Sequence, residues 1–114
     1  MSTQQKNRIA ATDATFTYAD GFWVGKCLIC GGRLRFNAQT GFGANIEHIY
    51  PRSLGGSNDL LNLGLTHPQC NNEKGHHWDS RRRHRHAPDA YRALVERLLD
   101  ERQRRWRPPE TPLE

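Results

Sequence analysis

The chain has 114 residues, 35% of them apolar, and a formal net charge of +5. That length suits one small domain whose thin hydrophobic core needs a staple, either a disulfide or a structural metal. The polar start MSTQQKNR has no signal-peptide pattern and no apolar run approaches the ~18 residues of a membrane span, which argues against a membrane protein and for a cytoplasmic one.

Residues 1–14 are read as a flexible N-terminus, because the first dozen are polar and offer little to anchor them. Phe16, Tyr18, Phe22 and Trp23 surround the turn signal Asp20-Gly21, so this stretch is expected to form short strands that pack into the core. Lys26-Cys27-Leu28-Ile29-Cys30-Gly31-Gly32 reads as a knuckle: a tight turn aims two sulfurs at one point, and glycine permits the backbone this requires. Arg33-Leu34-Arg35-Phe36 then alternates with strand period.

Asn37 to Asn45 is a loop, and Ile46 to Tyr50 a short strand ended by Pro51. RSLGGSND, from Arg52 to Asp59, has the composition of a compact surface loop. Leu60 to Leu65 reads as a second strand, and a helix is expected from Gln69 or Cys70 to about Asp79. The order over residues 44–79 is therefore strand, loop, strand, helix. A last helix over 88–106 opens with Pro88 and Asp89 in its first turn. Tyr91, Leu94, Val95, Leu98 and Leu99 form its apolar stripe, roughly extended by Trp106. Pro108-Pro109 ends it, and 108–114 is expected to be a disordered tail. The whole makes one α+β domain over 15–107.

Three cysteines cannot all pair within one chain, and in a reducing compartment thiols favour metal. Cys27-x-x-Cys30 has a counterpart in His67-x-x-Cys70, and together they supply the closed Cys3His set of structural zinc. One ion would tie segments 37 residues apart, providing the staple the core lacks.

The basic balance points to an anionic partner. Of 17 Lys and Arg, ten are arginines between Arg81 and Arg107. A guanidinium fork matches phosphate, so the arginine-rich segment and the last helix are expected to hold a nucleic acid backbone. The individual contact candidates are Arg52, Lys74, Arg81, Arg82, Arg83 and Arg85.

The stretch EHIYPRSLGGSNDLLNLGLTHPQCNNEKG resembles the HNH endonuclease motif, with His48, Asn62 and Asn71 at its lettered positions. The resemblance covers Cys27 to Gly75 and implies a ββα-metal (His-Me finger) core whose substrate is DNA, with RNA second to it. It further implies that His48 is the general base, and that Glu47 and Asn71 hold one catalytic Mg2+ or Mn2+ that stabilises the leaving 3′ oxygen. Asn62 would pin the loop between the strands and so orient His48. Adjacent strand residues point to opposite faces, so Glu47 and His48 share a site only if the strand ends or distorts there. Two other readings compete: a non-catalytic zinc-knuckle DNA-binding module, and a nuclease subunit of a phage packaging or restriction assembly. Neither a homodimer nor the choice between nicking and double-strand cleavage is legible in the sequence.

Overall fold

A computed structural model of the protein describes residues 2–79, 85 and 87–109. Helix α1 (Thr3–Ala11) opens the chain where a flexible start was expected. Ser2 caps it, accepting the Gln5 N–H at 3.2 Å, and Ile9 and Ala10 are fully buried. Its polar residues are also tied down: Asn7 donates to the Ala38 carbonyl and accepts from the Trp23 indole, while Lys6 donates to the Gly41 carbonyl. These partners lie in a distant loop and strand, so nothing near α1 in sequence announces them.

Strands β1 (Thr17–Ala19), β2 (Phe22–Lys26) and β3 (Arg33–Asn37) form an antiparallel sheet in that order. Asp20 and Gly21 turn the first hairpin with φ of 53° and 84°, the two positive values of a type I′ connection. Phe16 lies so close beneath Gly25 that a Cβ there would overlap its ring. Phe16 also meets Phe36 edge-on at 6.2 Å between centroids.

Strands β4 (Asn45–His48) and β5 (Leu63–Thr66) pair antiparallel, with Glu47 opposite Gly64 and His48 opposite Leu63. Helix α2 (Pro68–Lys74) follows directly and widens into a π turn over Gly75–Asp79. The expected strand, loop, strand, helix order is present, with short 3-10 turns at Arg52–Leu54 and Leu60–Asn62. The second strand thus begins at Leu63 rather than at Leu60.

Helix α3 (Pro88–Arg104) buries Tyr91, Val95 and Leu98 against Leu28 and Ile49. Arg102 and Arg105 continue that buried stripe. Arg102 is fully buried and donates to the Leu63 and Thr12 carbonyls at 2.7 and 2.8 Å and to Thr12 Oγ1 at 2.6 Å. Arg105 donates to the Lys26 carbonyl and pairs with Glu101, and Arg107 donates to the Ala10, Ala11, Asp13 and Phe16 carbonyls. The expectation that the arginines of the last helix and its end hold nucleic acid is corrected for Arg102, Arg105 and Arg107, which clamp the end of α1 and the knuckle. A guanidinium's five donors suit backbone carbonyls as well as phosphates. The result is a small α+β structure with an added C-terminal helix.

Candidate active site and metal centre

Cys27, Cys30, His67 and Cys70 place their ligand atoms within 4.8 Å of one another. The Cys30 and Cys70 sulfurs lie 3.4 and 3.8 Å from Nδ1 of His67. Tetrahedral zinc with bonds of ~2.1 Å to nitrogen and ~2.3 Å to sulfur separates such atoms by about 3.6 Å, so the set fits this ion. Nε2 of His67 lies 2.8 Å from the Arg33 carbonyl, an acceptor only, which puts the ring proton there and leaves Nδ1 its lone pair for metal. The knuckle turn is closed by Gly31 N–H to the Cys27 carbonyl, with Gly31 at φ 75°. The Gly32 N–H aimed at the Cys30 sulfur lowers that thiol to about 7, whereas burial and the neighbouring sulfurs push Cys70 up to about 12. A dication among the three sulfurs offsets that mutual repulsion.

One residue beyond Cys70, Asn71 turns toward β4. Its Nδ2 donates to Oε1 of Glu47 at 2.7 Å and to the Ile46 carbonyl at 3.3 Å. Glu47 is buried, and its other oxygen, Oε2, lies 2.5 Å from Nζ of Lys74. That is an ionic contact, and among the described residues Oε2 has no other polar partner. Burial raises the Glu47 carboxyl to about 7, an upward push that Lys74 and Asn71 only partly offset.

Lys74 was expected on the surface as a phosphate contact, and this is corrected: it is 3% exposed. Its ammonium donates to the Ile49 carbonyl at 3.1 Å and to both Asp79 oxygens at 2.9 Å. The π turn explains the second partner, since i and i+5 side chains meet where the helix widens. Asp79 in turn accepts from the Tyr91 hydroxyl at 2.9 Å, linking α3 to the site. Asp79, half-buried, is the partner that sequence reasoning missed, and with it the buried role of Lys74. The i, i+5 spacing carries no signal in a regular helix.

His48 closes β4. It is half-buried, whereas Glu47 beside it is buried, as strand alternation requires. Its Nε2 lies 2.9 Å from Oδ1 of Asn58 in the following loop. That loop is held by Asn62: Oδ1 accepts the Tyr50 N–H at 2.9 Å, while Nδ2 donates to the Tyr50 and Ser57 carbonyls at 3.1 and 2.8 Å. Gly55 has φ 98°, and a Cβ on Gly56 would overlap the Tyr50 carbonyl oxygen, so the Gly-Gly pair is required by the loop's path.

Arg52 and Arg85 are exposed, as a phosphate contact needs, and Arg81, Arg82 and Arg83 lie outside the described residues. His76 and His77 are exposed as well. Among the described residues no helix is long and apolar enough to cross a membrane.

A family model described as HNH endonuclease matches residues 27–86, more than half of the 114-residue chain. No curated protein and no solved structure matches significantly.

Proposed function

The chain belongs to the HNH endonuclease family, and on that premise we propose that it hydrolyses phosphodiester bonds in DNA, with His48 as general base and a hard divalent cation, Mg2+ or Mn2+, held by Glu47 and Asn71. The family carries nuclease-type chemistry on nucleic acid. The observation supporting this assignment of residues is the convergence of Glu47 and Asn71 from β4 and α2 onto one point, 2.7 Å apart.

The donor set suits the ion. A carboxylate and a carboxamide offer oxygen, which hard cations prefer, and the Asn71 amide presents Oδ1 in place of Nδ2 by turning end for end. The Glu47 oxygen facing Asn71 is the one available, because Oε2 is occupied by Lys74. When bound, the ion supplies charge neutralisation at the scissile phosphate and the leaving 3′ oxygen.

His48 takes the proton of the attacking water. An imidazole nitrogen suits that transfer as a base. Where Oδ1 of Asn58 accepts from Nε2–H, the basic nitrogen is Nδ1; the reversed amide exchanges the two roles. Asn62 acts through the loop: by holding both backbone groups of Tyr50 and the Ser57 carbonyl, it keeps Asn58 beside His48. Lys74 fixes the buried Glu47 carboxyl in place and favours its charged form against the larger push of burial, and Asp79 holds Lys74 there.

Supercoiled plasmid with Mg2+ or Mn2+ tests the proposal, read as nicked and linear product over time. Metal-dependent nicking is expected from the wild type, and His48→Ala should retain DNA binding and zinc while losing about 10²- to 10⁴-fold in rate. Binding without nicking by the wild type would instead favour the zinc-knuckle binding module.

A further inference from the structure

On the three-stranded sheet, Trp23, Gly25, Leu34 and Phe36 face the core, so Phe22, Val24, Lys26, Arg33 and Arg35 share the outer face. Lys26 stands directly opposite Arg33, and Val24 opposite Arg35. All three cations are exposed, and among the described residues none forms an ion pair with a carboxylate. Like charges directly opposite on a sheet are destabilising. Arg35 has its guanidinium 3.6 Å over the Phe22 ring, which fixes the fork in place. The arrangement differs from α3, where Arg104 is bound to Asp100 and Glu101 and Arg102 and Arg105 are buried.

We propose that this outer sheet face, through Lys26, Arg33 and Arg35, binds the phosphate backbone of duplex DNA. An anionic partner removes the Lys26–Arg33 repulsion that the free protein carries. Arg35 covers one face of the Phe22 ring, and with three cations on the face the expected readout is of phosphate, without base sequence. The knuckle links this face to the catalytic strands: the Arg33 carbonyl holds His67, and the Leu28 N–H donates to the Leu65 carbonyl at 2.9 Å. In its choice of DNA the inference rests on the endonuclease reading.

The test is fluorescence anisotropy of a short labelled duplex against the zinc-loaded full chain, with no added Mg2+ or Mn2+, over a series of NaCl concentrations. Replacing all three cations by Gln should lower the magnitude of the slope of log K against log salt by about 3, near 0.9 for each phosphate no longer neutralised. Arg104→Gln, the removal of an already paired cation, should leave the slope as in the wild type. An unchanged slope in the triple variant overturns the proposal. Arg33→Thr guards against misfolding: relief of the repulsion should hold or raise Tm while the slope drops by about 1. Undiminished binding in that variant also counts against the face. Plasmid nicking by the wild type, run alongside, separates the two readings. Nicking with an unchanged slope fails the sheet face alone, whereas a steep, Gln-sensitive slope without nicking fails the endonuclease and leaves the face standing.

Discussion

Asn71 donates its side-chain amide to the carboxylate of Glu47 across 24 residues of sequence, at 2.7 Å. The bond draws the first turn of α2 onto β4, so the two proposed oxygen ligands are close together before any ion arrives. Asn71→Ala removes one ligand and leaves Glu47 in place under Lys74. The metal concentration for half-maximal nicking should therefore rise at least tenfold while DNA binding at zero metal is unchanged. A titration of nicking rate against Mg2+ measures this, and identical half-saturation in variant and wild type would sink the ligand assignment.

Cys70 and Asn71 are neighbours that serve different sites. Cys70 belongs to the Cys3His cluster and Asn71 reaches Glu47, both within the first turn of the same short helix. Removing zinc should therefore release the start of α2 and take Asn71, the proposed metal ligand, with it. Cys27→Ser is expected to lower zinc content below one per chain, lower Tm, and abolish Mg2+-dependent nicking together. Retention of nicking by zinc-free protein, with metal content measured, would show the two sites to be uncoupled.

Arg102 is buried with its donors on the Leu63 and Thr12 carbonyls and the Thr12 hydroxyl. Arg102→Ala strands three acceptors and opens a void, a loss of about 3–5 kcal/mol that would show in denaturant unfolding. A solvated, phosphate-binding arginine would instead change stability by less than about 0.5 kcal/mol.

The knuckle, the strand-loop-strand-helix order and the Cys3His set were legible because each is signalled locally, by ligand spacing, turn glycines and short apolar runs. Burial of charged groups was not. Arg102 follows Leu98 by four residues and Arg105 by seven, so both lie on the same stripe as Tyr91 and Val95, yet a cation on an apolar stripe gives no sign of the carbonyls awaiting it. Lys74 misled for the same reason: its partners Glu47 and Asp79 meet it through β4 and a π turn that no sequence period predicts. Helix α1 was missed because its anchors, Asn7 and Lys6, reach loop carbonyls more than 30 residues away.

Gly56 sits where a Cβ would overlap the Tyr50 carbonyl oxygen, and its N–H donates to the Pro51 carbonyl at 2.9 Å. Gly56→Ala must push the loop away from Tyr50, breaking the frame that Asn62 holds around Asn58 and His48. Nicking should fall by more than tenfold with zinc content intact. Asn62→Ala, which loosens the same frame from its other side, should match it in kind, and the double variant should lose less than the two losses combined.

Glu47 supplies a stability test independent of catalysis. Its folded-state carboxyl is raised from 4.5 to about 7, chiefly by burial. Between those values the unfolded chain has released its proton while the folded protein keeps it, so the folded state binds more protons and stability falls as pH rises. The contribution is fully present below pH ~4.5 and lost by pH ~7, an upper size of order 3 kcal/mol. Glu47→Gln cannot titrate, so the wild-type minus variant difference in unfolding free energy, measured on zinc-loaded protein without Mg2+, should decline across that window. A difference that rises with pH would mean that Lys74 outweighs burial and that the carboxylate is held charged well below neutrality. In that case a divalent cation would compete with Lys74 for an anion already in place, and metal binding would be nearly independent of pH from 5 to 7.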